Sequence, residues 1–228
     1  MSQAKFRQIS TISGEYSFRV NGAPASLQSP RQIKQQYQQR IRDEIVGCRN
    51  IFSREVEAII IWYTDYKKRY TSDSSFDIDN IVKPTLDALV GRNGLIFDDC
   101  QVQSIICHWI DKNEEQEDYV EITLKTLENN GDHVVKKDDV CFFQLEGPIY
   151  YLFLCHNMSG ILAREMYSHY QNVMKRIDEL IARGVNPDEA DYLWPFMATK
   201  YHISRISRSG FPCYKKDKIP IFLNSLQS

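Results

Sequence analysis

The chain lacks an apolar run long enough to cross a bilayer. Its longest, IYYLFLC, falls far short of the roughly 20 residues a spanning helix needs, and the N-terminal MSQAKFRQIS has no apolar signal region. The resulting expectation is a cytoplasmic protein with no membrane contact. An excess of charge of either sign is also missing. Lys and Arg number 28 against 30 Asp and Glu, a formal net charge of -2, so the molecule is not a polycation that coats nucleic acid; DNA contact has to come from local patches. Cysteine pairs at metal spacing are absent too. The six cysteines, at 48, 100, 107, 141, 155 and 213, include no CxxC and no dense framework, which favours reduced, mostly buried thiols. A zinc site built from Cys141, Cys155 and His156, or from Cys107 and His108, has to do without that spacing. With no internal repeat, 43% hydrophobic and 25% charged residues, the 228-residue chain has room for one large globular domain or two small ones.

What is present begins with residues 15–20, EYSFRV, which alternate as a strand, followed by the loop NGAPASLQSP. From Ser29 and Pro30 the pattern predicts a helix, with Ile33, Tyr37, Ile41 and Ile45 at spacing four and a basic stripe of Arg31, Lys34 and Arg42 on another face. EVEAIIIWY, residues 55–63, is rich in β-branched and aromatic side chains and predicts a buried strand. The loop behind it sets Lys67, Lys68 and Arg69 between Tyr66 and Tyr70, a composition suited to a nucleic-acid backbone and an unstacked base. VQSIICHWI and YVEITLK then predict two strands joined as a hairpin by a polar turn. The expected N-terminal domain, residues 1–128, is therefore an α/β unit, a mixed sheet with packed helices.

Residues 129–228 are expected to form a second, mainly helical domain behind the linker LENNGDHVVKKDD. A strongly apolar stretch, CFFQLEGPIYYLFLC, opens it. A helical pattern runs from Ser159 through Leu180 to a stop at Gly184, and Asn186-Pro187 starts another helix.

The segment FDIDNIVKPTLDALVGRNGLIFDDCQV, residues 76–102, carries the chemistry. Asp77 and Asp79 alternate around Ile78 and point the same way in an extended segment. Helical spacing then puts Asp79, Lys83 and Asp87 four apart on one face, and the GRNG turn returns the chain so that Asp98 and Asp99 approach its start. Clustered carboxylates repel one another unless cations or hydrogen bonds offset the repulsion. An all-oxygen cluster suits Mg²⁺, which makes a nucleophile of bound water and stabilises a phosphate in transit, while Lys83 can steady the developing charge. Capping and turn formation account for either acidic pair alone, but for too few of the acids taken together.

The order Asp77-Ile78-Asp79-Asn80, Lys83, Asp87-Ala88-Leu89, a glycine turn, then Asp98-Asp99-Cys100-Gln101-Val102 resembles the RusA family of Holliday junction resolvases, over roughly residues 12–127. The resemblance implies a dimeric, Mg²⁺-dependent endonuclease, with Mn²⁺ able to substitute, that nicks branched DNA symmetrically. By position it makes Asp77, Asp79 and Asp99 the metal-binding and catalytic aspartates and Lys83 the catalytic lysine. Asp98 joins the metal set, Asp87 and Asn80 support it, and Arg31, Lys34, Lys67, Lys68 and Arg69 contact DNA. A homodimer fits the approximate two-fold symmetry of a four-way junction. The competing reading is a nucleic-acid-binding or assembly protein whose C-terminal domain recruits, or is gated by, a protein partner in a defence or mobile-element setting; CFFQLEGPIYYLFLC, Tyr192, Trp194 and Phe196 are its candidate interface. Retention of the catalytic aspartates favours the enzyme.

Overall fold

The computed structural model describes residues 8–65, 67, 77–112, 117–127, 131–155, 160–191 and 200–226. They form two compact units, Met1–Lys137 and Asp138–Ser228.

The first unit is built on a four-stranded mixed sheet. Its strands are β1 (Glu15–Asn21), β3 (Val56–Thr64), β4 (Val102–Asp111) and β5 (Tyr119–Thr126), in the order β1-β5-β3-β4. A short strand β2 (Asn50–Phe52) precedes β3. The helices α1 (Arg31–Ile45) and α2 (Val82–Leu89) supply the apolar cover. Alternation decides which face they cover. Val56, Ala58, Ile60 and Trp62 of β3, Val120, Ile122 and Leu124 of β5, and Tyr16, Phe18 and Val20 of β1 share one core with Tyr37, Ile41 and Ile45 of α1 and Leu86 and Leu89 of α2. Each such large aliphatic side chain stabilises the unit by roughly 1.5–3 kcal/mol on burial. Ile33, expected on that stripe, lies 46% exposed in the first turn of α1. The opposite face is held by polar and aromatic cross-strand pairs, among them Lys125 with Glu57 at 2.7 Å and Tyr63 stacked on Tyr119 at 4.3 Å.

The expected hairpin of β4 and β5 does not form. β4 runs parallel to β3 and β5 runs antiparallel to it, so β3 lies between the two. β3, α2 and β4 instead make a βαβ crossover. The return from β4 to β5 therefore has to pass the end of β3, and buried polar groups accompany it there. Lys112 donates its backbone N–H to the Thr64 carbonyl at 3.2 Å, and the Lys112 ammonium lies 3.4 Å from the Asp118 carboxylate. Asp118 also accepts from the Thr64 hydroxyl at 3.0 Å.

Part of the segment expected as linker is structured. β6 (Val134–Lys136) pairs antiparallel with β2, and the buried Lys137 ammonium donates to the Cys48 carbonyl at 2.7 Å. The first unit accordingly reaches Lys137 rather than residue 128.

The second unit is not helical alone. β7 (Val140–Glu146) and β8 (Ile149–Leu154) form a hairpin, flanked by β9 (Lys200–His202) and β10 (Cys213–Lys215) in the order β10-β7-β8-β9. The apolar stretch is thus a pair of strands buried on both sides. Phe143 packs on Phe153 and Tyr167, while Phe142 packs on Tyr201 and Phe211. Strands covered on both faces show no alternation, so their pattern does not separate them from a buried helix. Helices α3 (Gly160–Ala182), α4 (Pro187–Asp191), α5 (Ile203–Ile206) and α6 (Ile219–Ser225) complete the unit. Gly184, at φ +92, ends the α3 segment with Val185 N–H bonded to the Leu180 carbonyl. Tyr192, Trp194 and Phe196 lie outside the described residues. No described helix is long and apolar enough to cross a membrane.

Candidate active site

The crossover from β3 to β4 presents the acidic segment. Asp77 is extended, and a 3-10 turn over Ile78–Ile81 leads directly into α2, with Asn80 N–H bonded to the Asp77 carbonyl at 3.0 Å. Pro84 is tolerated because it stands in the first turn of α2, where its missing N–H has a use. In a regular helix, residue 84 would bond the Asn80 carbonyl. Here that carbonyl accepts from Leu27 N–H at 2.8 Å instead, tying the proline-containing loop to the acidic turn. From the other side, the Tyr37 hydroxyl meets the Thr85 hydroxyl at 2.9 Å, and Thr85 donates to the Ile81 carbonyl at 2.8 Å. Burial among these groups pushes the Tyr37 phenol well above its ordinary range.

Past α2 the chain doubles back. Gly91 takes φ +90, and a Cβ on Gly94 would lie 1.9 Å from the Leu89 carbonyl oxygen, so that close approach requires glycine. The strand-like return ends in a capped 3-10 turn over Asp99–Gln101. One oxygen of Asp98, expected as a metal ligand, accepts from Cys100 N–H at 3.1 Å and so caps this turn. Gln101, 2% exposed, completes the capping box. Its oxygen accepts from Phe97 N–H at 2.6 Å and Asp98 N–H at 3.3 Å; its nitrogen donates to the Phe52 and Arg54 carbonyls at 3.0 and 2.9 Å. This residue fixes the turn that carries Asp99, and a role for it was missed. The signal was present as Asp98 and Gln101 three apart, the spacing of a capping box.

Lys83 joins the two halves of the segment. Its ammonium lies 2.7 Å from an Asp87 oxygen and 2.7 Å from an Asp99 oxygen. Its pKa is raised, chiefly by the hydrogen bond to Asp87 and then by that to Asp99. Lys83 is therefore a fixed cation at neutral pH, suited to stabilising negative charge and unsuited to accepting a proton. Asp77 and Asp79 present exposed carboxylates. Asp79 lies near Cys107 of β4, whose thiol donates to the Ile78 carbonyl at 3.7 Å and is pushed up to about 11 by burial and by the Asp79 charge. Cys107 thus stays a neutral neighbour of the acids. His108 follows it on the other face of β4, pairing with Ile61 where Cys107 pairs with Ile60, so the two do not share a metal.

By residue type, Asp77, Asp79 and Asp99 carry the carboxylate oxygens that a hard divalent cation takes, and Asp87 and Asp99 share the Lys83 charge. Among the described residues no group of three His, Cys, Asp or Glu side chains is gathered closely enough to hold a metal ion. Of the residues assigned to DNA, Arg31 is exposed at the start of α1, Lys34 donates to the Leu27 carbonyl at 3.0 Å, and Lys67 is exposed. Lys68 and Arg69 lie outside the described residues, as do Tyr66 and Tyr70.

The mixed sheet is an α/β unit whose βαβ crossover carries Lys83 bridged between two carboxylates, those of Asp87 and Asp99. Residues 19–125 match the family model described as Endodeoxyribonuclease RusA, so the first unit carries a domain that matches that family. The family is one of endonucleases that resolve Holliday junctions. The match covers just under half of the 228 residues and none of the second unit. No curated protein sequence matches the chain.

Proposed function

We propose that the first unit is a Mg²⁺-dependent endodeoxyribonuclease that hydrolyses phosphodiester bonds in branched DNA such as Holliday junctions, with Mn²⁺ able to substitute. The observation that carries this reading is the Lys83 ammonium held between Asp87 and Asp99, in the same segment that carries exposed Asp77 and Asp79, on a domain that matches the RusA family. Asp77, Asp79 and Asp99 are the residues that would hold the ion, which when bound supplies Lewis acidity and a water of lowered pKa. Asp98 and Gln101 keep the Asp99 turn in place, and Asp87 keeps Lys83 aimed. Lys83 stabilises charge that develops on the phosphate oxygens. Arg31, Lys34, Lys67, Lys68 and Arg69 take the DNA backbone, and Asn80 holds the acidic turn to the preceding loop through its main chain. A homodimer places two such sites on opposed strands of a junction related by a two-fold axis.

The test is incubation of the purified chain with a four-way junction or linear duplex, in Mg²⁺ or in EDTA. Paired nicks in the junction with Mg²⁺ and intact DNA in EDTA are expected. Undiminished cutting in EDTA, or no cutting of any DNA with Mg²⁺ or Mn²⁺, refutes the proposal. Lys83→Met is expected to slow cutting by roughly 10²-fold. The rate should also show no loss from Lys83 deprotonation up to about pH 10, because a raised lysine pKa keeps the charge below the ordinary value of 10.5. A basic limb near pH 8 that vanishes in Lys83→Met would contradict the fixed-cation role.

A second reading, in which the C-terminal unit recruits a partner or gates the nuclease, is favoured by its separate core and its position outside the family match. Residues 1–137 alone are then expected to cut with altered rate or substrate preference relative to the full chain. Equal rates on junction, flap and fork substrates count against gating. Residues 1–128 are the wrong fragment for this comparison, since they omit the strand β6 that pairs with β2.

A further inference from the structure

The second unit contains a thiol pair that the nuclease reading does not use. Cys141 lies in β7, where it pairs with Phe153, and Cys155 follows the end of β8 two residues beyond that partner. Their sulfurs are 3.5 Å apart and share a hydrogen bond. Cys155 N–H is bonded to the Asp139 carbonyl at 2.8 Å, which continues the β7-β8 ladder and holds Cys155 next to Cys141. A disulfide needs the sulfurs at about 2.05 Å, so bond formation requires an approach of roughly 1.5 Å. The two thiols differ in access: Cys141 is 1% exposed, whereas Cys155 is half-buried.

We propose that Cys141 and Cys155 are a modification site, a dithiol that exchanges with low-molecular-weight disulfides to form a reversible intramolecular disulfide across the open end of the β7-β8 hairpin. Cys155 is the attacking group. The contact with Cys141 lowers the Cys155 pKa below the ordinary thiol range, whereas the same contact and burial raise that of Cys141. The Cys155 thiolate attacks one sulfur of a disulfide such as oxidised glutathione. A bond forms between Cys155 and that sulfur as the other glutathione leaves as thiolate and takes up the proton that Cys155 gave to solvent. Cys141, on losing its proton, attacks the Cys155 sulfur, and the second glutathione departs. Two protein thiols and one glutathione disulfide thus become one protein disulfide and two glutathione thiols, with two electrons passing to glutathione. Cys213, the third thiol of the neighbourhood, pairs with Phe142 in the sheet and donates to the Phe211 carbonyl at 3.4 Å, so its hydrogen lies away from the pair.

The full chain, fully reduced and then incubated with oxidised glutathione, is digested without reductant and mapped by mass spectrometry. The expected product is the Cys141 peptide joined to the Cys155 peptide with loss of two hydrogens, returned to free thiols by dithiothreitol. In Cys141→Ser, Cys155 should instead retain one glutathione, the trapped intermediate. Joining of either cysteine to Cys213 in preference overturns the proposal. So does a Cys141 and Cys155 pair that stays reduced while the exposed Cys100 is glutathionylated, because that shows the oxidant active and the pair inert.

Discussion

Asp79→Asn is expected to lower the single-turnover rate of junction cutting by at least roughly 10²-fold in saturating Mg²⁺, the scale on which loss of one preorganised electrostatic group at a reacting phosphate is felt. Its carboxylate is exposed at the start of the 3-10 turn that leads into α2. Among the described residues it makes no hydrogen bond or salt bridge, so its removal leaves no structural partner behind. The only expected stability change is the loss of an acid near a helix start, about 0.3–1 kcal/mol. Asp77→Asn should behave alike, since its carboxylate is exposed and its structural contribution is the main-chain carbonyl that accepts from Asn80. Asp87→Asn is the control. Its carboxylate is the second partner of Lys83, 44% exposed, and its loss leaves Lys83 bonded to Asp99. A change of a few-fold is expected there. If Asp79→Asn cuts within threefold of the wild-type rate, or Asp87→Asn is as damaged as Asp79→Asn, then the acids act as bulk negative charge and the assigned roles are wrong.

The parts of this site that were legible in the sequence are the ones carried by short-range spacing. Lys83 and Asp87 are one helical turn apart, so their ion pair follows from the period of α2 alone. The contact of Lys83 with Asp99 spans 16 residues and depends on the doubled-back chain at Gly91 and Gly94, whose course the GRNG turn announced only in outline. Strand order was less accessible. Sequential strands joined by a polar turn are neighbours more often than not, and nothing in the alternation of β4 and β5 says that β3 inserts between them. The decisive interactions are the Lys112, Asp118 and Thr64 contacts at the end of β3, which are long-range and polar. In the second unit the missed sheet has the opposite cause: β7 and β8 are apolar on both faces and so lose the period that marks a strand. Asp98 shows how a residue type underdetermines its role, since the same carboxylate suits a cation or a cap, and here one of its oxygens receives Cys100 N–H.

Gln101→Leu is expected to be the most destabilising single change around the site and to disable it as well. One buried amide serves two carbonyls, those of Phe52 and Arg54, and two N–H groups, those of Phe97 and Asp98. Leucine fills a similar volume and offers none of these partners. At about 1–3 kcal/mol for each buried polar group left without its bond, and with water reaching some of them, the loss is roughly 3–5 kcal/mol. That lowers the melting midpoint of the unit by about 10 °C or more. Because the same amide fixes the turn bearing Asp99, cutting measured well below that midpoint should still fall by more than roughly tenfold. Gln101→Glu separates the donor from the acceptor half of the role. It keeps an oxygen for the two N–H groups but points a second oxygen at two carbonyls. That arrangement favours the protonated acid, so the folded-state pKa rises above the ordinary value of about 4.3. A group raised on folding gives its stability below its unfolded pKa and loses it as pH rises through the folded one. Gln101→Glu should therefore be closest to wild type near pH 4 and increasingly unstable by pH 8, whereas the deficit of Gln101→Leu stays flat with pH. Urea midpoints of both variants across that range decide the matter. A Gln101→Leu midpoint near wild type, or a Gln101→Glu deficit that does not grow with pH, removes Gln101 from the position of organising residue.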